Sequence, residues 1–465
     1  MNLELGFICD SIKGVLLNTN PQKKIKGITT DSRRIKAGQL FFALSGANFD
    51  GHSFLGEVFK NGATAAVVSK TSDKLLQLEN RSLILVDDTL QALQDLARAY
   101  RSQFSIPVVA VTGSVGKTTT KEILDCCLKQ SFKTHKTKGN YNNDIGLPLT
   151  IMELENKHQA AVIELAMRAP GEIARLAKIA RPNYALITNV APVHLETMGS
   201  IEAIAQAKCE VLAELDASGF AVLNGDNEAL LKAASIYPCR KYTFGCSPLC
   251  DFYIKKVEIE RKGIAIETRF MEREEKFWFP LPAVRLSGNV VAAAAVAYLL
   301  GAELQDIKSG LAEYKSSGHR LHLISLAAGG MIINDSYNAN PLSMAAALET
   351  GHELKGNGRL VAVLGDMFEL GDYELEGHLE VGRTAAENGV EMLVTIGPRA
   401  RFIAQGAEDA GMNKEQIHHF ATKEQGVEFL HHNIDQYDTV LFKASRGMGM
   451  ETMVDNLLQG MGTHQ

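Results

Sequence analysis

Residues 108–128 run from the apolar stretch Val-Val-Ala-Val-Thr through Gly113-Ser114-Val115-Gly116 into Lys117-Thr118-Thr119 and then the helical "KEILDCCL". A strand, a glycine turn and a helix in so short a space constrain the chain to a layer of parallel strands with helices on its faces. The glycines let backbone N–H groups turn inward on phosphate oxygens, and the helix N-terminus adds positive potential. Lys117 then reaches the outer phosphates and Thr118 can ligate Mg²⁺. The generic phosphate-loop pattern asks for glycine at position 111, where this chain has Val111. The competing reading is a helix N-cap alone, but a Gly-Ser turn of that kind is rarely followed by Lys-Thr-Thr.

The same alternation extends along the chain. "AAVIELA", "YALITNV" and "FAVLNGD" are apolar runs that end in small or polar residues, as parallel strands do when ligands gather at their C-terminal ends. Before them, "KIKGITTDSR", "GQLFFAL", "GATAAVVSK" and "SLILVDD" predict a small α/β unit, followed by a helix from Thr89 to Phe104. Residues 251–279 alternate apolar and polar positions around a Lys-Gly turn and predict an antiparallel excursion. After a buried Ala-rich helix near 288–300 comes "YKSSGHRLH", a hinge, and the α/β rhythm restarts. At 465 residues the chain exceeds one core and suggests about three domains. Their expected spans are 1–86, 87–314 and 315–465.

Charge and composition narrow the function. A formal net charge of -6 offers no electrostatic reason to seek nucleic acid or an anionic membrane. The run Val290–Ala302 is too short to span a bilayer, and the first residues lack a signal-peptide pattern, so a cytoplasmic location is expected. Seven cysteines without regular spacing argue against a disulfide framework, and Cys239, Cys246 and Cys250 lack the paired spacing of most zinc sites.

Two more strand ends carry candidate metal groups. Glu164 closes "AAVIELA", where a lone buried carboxylate needs a partner or a metal. His194 follows "ALITNVAPV", and a neutral imidazole can complete a mixed oxygen and nitrogen shell. Lys208, on the helical "SIEAIAQAKCEVLAEL", reads from the residues alone as a solvated or paired lysine. In the last third, "NDSYNANP" places Asp335, Tyr337, Asn338 and Asn340 just past a strand, and Pro341 starts a helix. "LGDMFELGD" and "KASRGMGME" repeat the theme, so three polar strand ends imply a binding face.

Together "TDSRRIKAGQLFFAL", "TGSVGKTTTKE", "NYNNDIGLPLT", "APGEIA", "ITNVAPVHLETMGSIEAIAQAK", "INDSYNANPLSM", "LGDMFELG" and "KASRGMGME" resemble segments of the Mur ligases over nearly the whole chain. The resemblance implies three domains: a small α/β N-terminal domain for a UDP-sugar, a central P-loop ATPase-like parallel-sheet domain, and a C-terminal Rossmann-like domain closing over ATP. It implies an ATP- and Mg²⁺-dependent amide ligase acting through an acyl phosphate, with "SYNANP" pointing to UDP-MurNAc-tripeptide and D-Ala-D-Ala as substrates, and a monomer. A sister ligase with another amine acceptor, a P-loop ATPase or kinase without ligation, and a non-catalytic nucleotide binder are the competing readings.

By the same resemblance, Gly113 to Thr119 hold the ATP phosphates, and Asn289, Arg320 and Asp335 meet the nucleotide. Thr118, Glu164 and His194 serve Mg²⁺, joined by Lys208 as a carbamylated lysine. Thr30, Asp31, Ser32 and Arg33 lie on the UDP-sugar side. Asn142 and Asn143 lie near the phosphates or substrate, and Tyr337, Asn338, Asn340, Ser445 and Arg446 face the substrate. Departures from the family pattern are Arg285-Leu286 in place of His-Asn, and Ala166, Ala191 and Ala444 in place of glycine.

Overall fold

Apolar runs that stop at small or polar residues build three separate main sheets in the computed structural model, which describes residues 2–46, 49–70, 81–192, 195–260, 262–316, 318–326 and 329–460. The first sheet has five strands in the order Val15–Leu17, Ser82–Leu85, Ala65–Val68, Leu40–Phe42 and Ile28–Thr29. Its pairs are parallel except the one joining Val15–Leu17 to Ser82–Leu85.

The central sheet has nine strands, and its arrangement positions the site. Thr134–Lys136, Ala160–Glu164, Val108–Thr112, Tyr184–Ile187, Phe220–Asn224 and Arg240–Gly245 lie side by side and parallel. Val108–Thr112 sits between two strands that follow it in the chain, one on each side. It is therefore the switch point where the winding reverses, and a crevice opens beyond its C-terminal end. The expected antiparallel excursion is a three-stranded extension, Phe252–Glu260, Gly263–Phe270 and Arg273–Phe279. Helix Ser287–Leu299 is buried on every side from Val290 to Ala297, which is why it is apolar all round. Among the described residues no helix is long and apolar enough to cross a membrane.

The third sheet runs His322–Ser325, Met331–Asn334, Thr439–Lys443, Leu360–Gly365, Met392–Ile396 and Ile417–Phe420, parallel apart from the first pair. The connection into it carries left-handed backbone at Gly318, His319 and Leu321, so a sharp change of direction occurs where the hinge is expected. Ser317 of that stretch lies outside the described residues.

Two of these cores are continuous with each other. One apolar cluster joins Leu40, Phe42 and Val67 of the first sheet to Leu93, Leu96 and Ala97 of helix Thr89–Arg101. The same cluster continues to Val108, Ala110 and Ile163 of the central sheet. The third sheet has its own clusters on its two faces.

Helix Pro341–Leu354 starts as its sequence dictates. Asn340 caps it, its side chain accepting from the Ser343 N–H at 2.8 Å while the Ser343 hydroxyl accepts from the Asn340 N–H at 3.0 Å. Asn340→Ala is expected to cost about 1 kcal/mol, seen as a lower midpoint of chemical unfolding with an unchanged slope.

Candidate active site

The loop after Val108–Thr112 has the geometry that phosphate binding requires. Gly113 has φ +149 and Gly116 has φ +79; a Cβ on Gly113 would stand 2.0 Å from the Thr188 hydroxyl, and one on Gly116 2.5 Å from Asn289 Nδ2. Only glycine fits these two positions. Helix Lys117–Leu128 begins at Gly116 with no side chain capping it, so its first N–H groups face the crevice as an anion site.

The loop is fastened to the neighbouring strand end. The Ser114 N–H donates to the Asn189 carbonyl and the Val115 N–H to Asn189 Oδ1, each at 3.0 Å. Thr188 Oγ1 donates to the Val115 carbonyl at 2.7 Å, and the Ser114 hydroxyl accepts from the Ala191 N–H at 2.9 Å. Lys117 curls over this loop, its ammonium donating to the carbonyls of Gly113 at 2.7 Å and Ser114 at 3.1 Å. Burial lowers its pKa, an effect opposed by the Glu164 carboxylate and reinforced by Arg320.

Glu164 ends the adjacent strand and is 1% exposed. Its Oε1 accepts from the Thr118 hydroxyl at 3.1 Å and from Asn142 Nδ2 at 2.7 Å. Its Oε2 is buried and accepts no hydrogen bond among the described residues. The Thr118 hydroxyl and Glu164 Oε1, 3.1 Å apart, stand at the spacing of neighbouring oxygen ligands about a small hard cation, and this pair fits Mg²⁺. Lys208 lies on helix Ile201–Cys209 at 2% exposure. Its pKa is held well below the ordinary lysine value, first by burial and then by repulsion from Lys117. His194 lies outside the described residues.

A cleft of about 1140 Å³ opens between this loop and the third sheet. Of the residues singled out by sequence, Ser114 to Thr119, Asn142, Asn143, Glu164 and Asn289 line it from the central side, and Arg320, Asp335, Tyr337, Asn338, Asn340, Ser445 and Arg446 from the other. Asn289 Nδ2 donates to the Thr120 hydroxyl at 2.7 Å. The guanidinium of Arg320 stacks 3.8 Å from the centre of the Tyr337 ring, and that of Arg446 lies 5.4 Å from it. Asp335 Oδ1 accepts from the Leu321 N–H at 3.0 Å, so the third sheet holds the hinge that carries Arg320.

Some of these side chains also serve the fold. Asn143 Oδ1 accepts from the Gly146 N–H at 2.9 Å, and Asn340 caps its helix. Ser445 Oγ, buried, accepts from the Phe368 N–H at 2.9 Å and so ties two strand-end loops together. Thr30 to Arg33 do not line this cleft; Asp31 caps the short turn that follows and pairs with Arg33 at 2.9 Å.

The alanines at family glycine positions cause no strain. Ala166, Ala191 and Ala444 all have negative φ, so a methyl group there is compatible with the backbone. Arg285 makes a two-pronged ion pair with Glu349 of helix Pro341–Leu354, joining the central domain to the third sheet's domain at the edge of the cleft.

Sequence reasoning missed Lys121, Asn189 and Lys443. Lys443, 3% exposed, pairs with the Asp335 carboxylate and donates to the Asn338 carbonyl at 3.0 Å, which orients two cleft residues at once. Its position at the end of the strand "DTVLF" was the available signal.

Three consecutive parts of the chain match known domains: residues 24–101 the Mur ligase family catalytic domain, 111–297 the Mur ligase middle domain, and 319–446 the Mur ligase glutamate ligase domain. The chain belongs to the Mur ligase family. The UDP-N-acetylmuramoyl-tripeptide–D-alanyl-D-alanine ligase of Bacillus subtilis (strain 168) is 38% identical over 453 residues, covering 97% of each chain. The enzyme of that name from Escherichia coli (strain K12) is 37% identical and covers 100% of both. A crystal structure of MurF from Acinetobacter baumannii superposes with TM-score 0.90 at 32% identity over 99% of each chain. MurF from Thermotoga maritima in complex with ADP gives 0.82 at 30% identity, over 94% of this chain and 98% of that one.

Proposed function

We propose that this chain joins D-alanyl-D-alanine to the terminal carboxylate of a UDP-MurNAc-tripeptide, converting ATP to ADP and phosphate. The observation that carries the reading is one cleft with a phosphate loop, Thr118 and Glu164 on one wall and the polar strand ends of the third sheet on the other. The relatives' names support the choice of substrates. Within this reading, residues 1–86 bind the UDP-sugar, with Thr30, Asp31, Ser32 and Arg33 on that side. Residues 87–314 bind ATP, and 315–465 close over it and receive the dipeptide. ATP and a UDP-linked substrate fit a cytoplasmic enzyme.

A carboxylate is a poor electrophile until one of its oxygens becomes a phosphate leaving group. Lys117 and the loop N–H groups hold the phosphates while the γ-phosphoryl moves to that carboxylate, and positioning with charge stabilisation supplies the catalysis. The dipeptide amine then attacks the acyl carbon, a C–N bond forms, phosphate departs and the amine loses a proton. Thr118, Glu164 and His194 would hold Mg²⁺, which offsets charge on the phosphates. Tyr337, Asn338, Ser445 and Arg446 face the incoming dipeptide.

Lys208 fits a carbamate. A neutral amine adds to CO₂ and releases one proton, and burial beside Lys117 favours the neutral amine. The product is an anion where an ammonium would repel both Lys117 and a cation.

Phosphate release with ATP, Mg²⁺ and UDP-MurNAc-tripeptide, measured with and without D-Ala-D-Ala, tests the reading. Release that needs both substrates, with a product heavier by one dipeptide less water, is expected. Release indifferent to the dipeptide would reduce the chain to an ATPase, and use of single amino acids alone would make it a sister ligase.

A further inference from the structure

Lys121 follows Lys117 by one helical turn and is fully buried, with 0% exposure. Its ammonium donates to the Thr137 carbonyl at 2.7 Å, and lies 3.0 Å from Glu122 Oε1 and 3.7 Å from Glu164 Oε2. The last distance is charge pairing without a hydrogen bond, consistent with the donor-free state of that oxygen. The Thr137 hydroxyl in turn accepts from the Glu164 N–H at 2.9 Å. Lys121 and Thr137 therefore hold Glu164 at both its carboxylate and its backbone.

The charges around it form one network. Lys136 pairs with Glu122 and, at 2.7 Å, with Asp125, while Lys121 pairs with Glu122 and Glu164. With Lys117, which also feels the Glu164 carboxylate, three cations thus face three carboxylates, and the carboxylate at the cleft is Glu164.

We propose that Lys121 is a positioning residue for the divalent-cation site: it fixes the Oε2 side of Glu164 so that Oε1, 3.1 Å from the Thr118 hydroxyl, is presented to the metal. This rests on the phosphate-site reading above. Removing a partner that orients a metal ligand typically costs about 10- to 100-fold in metal affinity.

The test is binding of Mn²⁺, as a spectroscopic stand-in for Mg²⁺, to the full chain with ADP, in wild type and Lys121→Met. The variant is expected to unfold cooperatively, to bind metal-free ADP as wild type does, and to lose about 10- to 100-fold in ADP-dependent Mn²⁺ affinity. Unchanged Mn²⁺ affinity would make Lys121 a structural residue and overturn the proposal. Tighter Mn²⁺ binding would overturn it too, since that is the result of deleting a repelling cation without disturbing the carboxylate. If Lys121→Met does not fold, Lys121→Arg keeps the charge while displacing it; Mn²⁺ affinity at least about threefold weaker is then expected, and native affinity would sink the idea. A wild type without any metal-dependent ADP binding would instead remove the phosphate-site reading itself.

Discussion

Lys117→Ala is expected to abolish turnover, by about 10²–10³-fold or more, while leaving the fold intact. The ammonium of Lys117 bonds to the carbonyls of Gly113 and Ser114, at the mouth of the loop. Losing it frees the carbonyl of Ser114, which lines the cleft, and that of buried Gly113, so a stability cost of about 1–3 kcal/mol is expected, short of unfolding the chain. The loss of function is expected to be large because, in the proposed reaction, the ammonium stands where charge develops on the transferring phosphoryl group. Steady-state phosphate release and an unfolding curve on the same preparation separate the two effects. Turnover near that of wild type would remove Lys117 from the phosphate site.

Lys208→Ala is the second large effect, expected at about 10²-fold or more in turnover, because under the proposed reading it removes an anionic carbamate that serves the phosphate site. If the active form is a carbamate, the variant lacks an anion in a pocket that is otherwise intact. Acetate or formate should then restore part of the activity by placing a carboxylate in the vacated space. Isotope-labelled CO₂ should give a carbamate carbon signal in wild type that is absent from the variant. Full activity in the variant, or no labelled signal in an active wild type, would dismiss the carbamate. The side chain is 2% exposed, so its modification requires CO₂ to enter a nearly closed space.

The parts of this site that were legible in the sequence are those set by local backbone. The phosphate loop could be read because glycine spacing, a strand before and a helix after are all short-range signals, and Gly113 and Gly116 indeed adopt conformations that suit glycine. Glu164 was legible because a carboxylate at the end of an apolar strand is chemically out of place. Lys121 was not, since a lysine in "TTTKE" looks like any solvated helix residue until strands 134–136 and 160–164 close over it. The carbamate role of Lys208 rests on resemblance; only tertiary packing makes the side chain buried. Asn143, Asn340 and Asp31 show the opposite confusion, because the residue types that suit ligand binding are also those that cap helices and turns, as these three do.

The uninterrupted apolar cluster from the first sheet to the phosphate-loop strand turns the first two domains into a gauge. With the sugar nucleotide anchored on Thr30 to Arg33, as proposed, and the γ-phosphate fixed over Lys117, the distance between anchor and reaction centre is set by the protein. Peptide length is then measured against it. A stem one residue shorter falls short by about 3.5 Å, more than a near-attack geometry tolerates. In the proposed reaction the third sheet's domain is then left to bring the amine and not to select the acid.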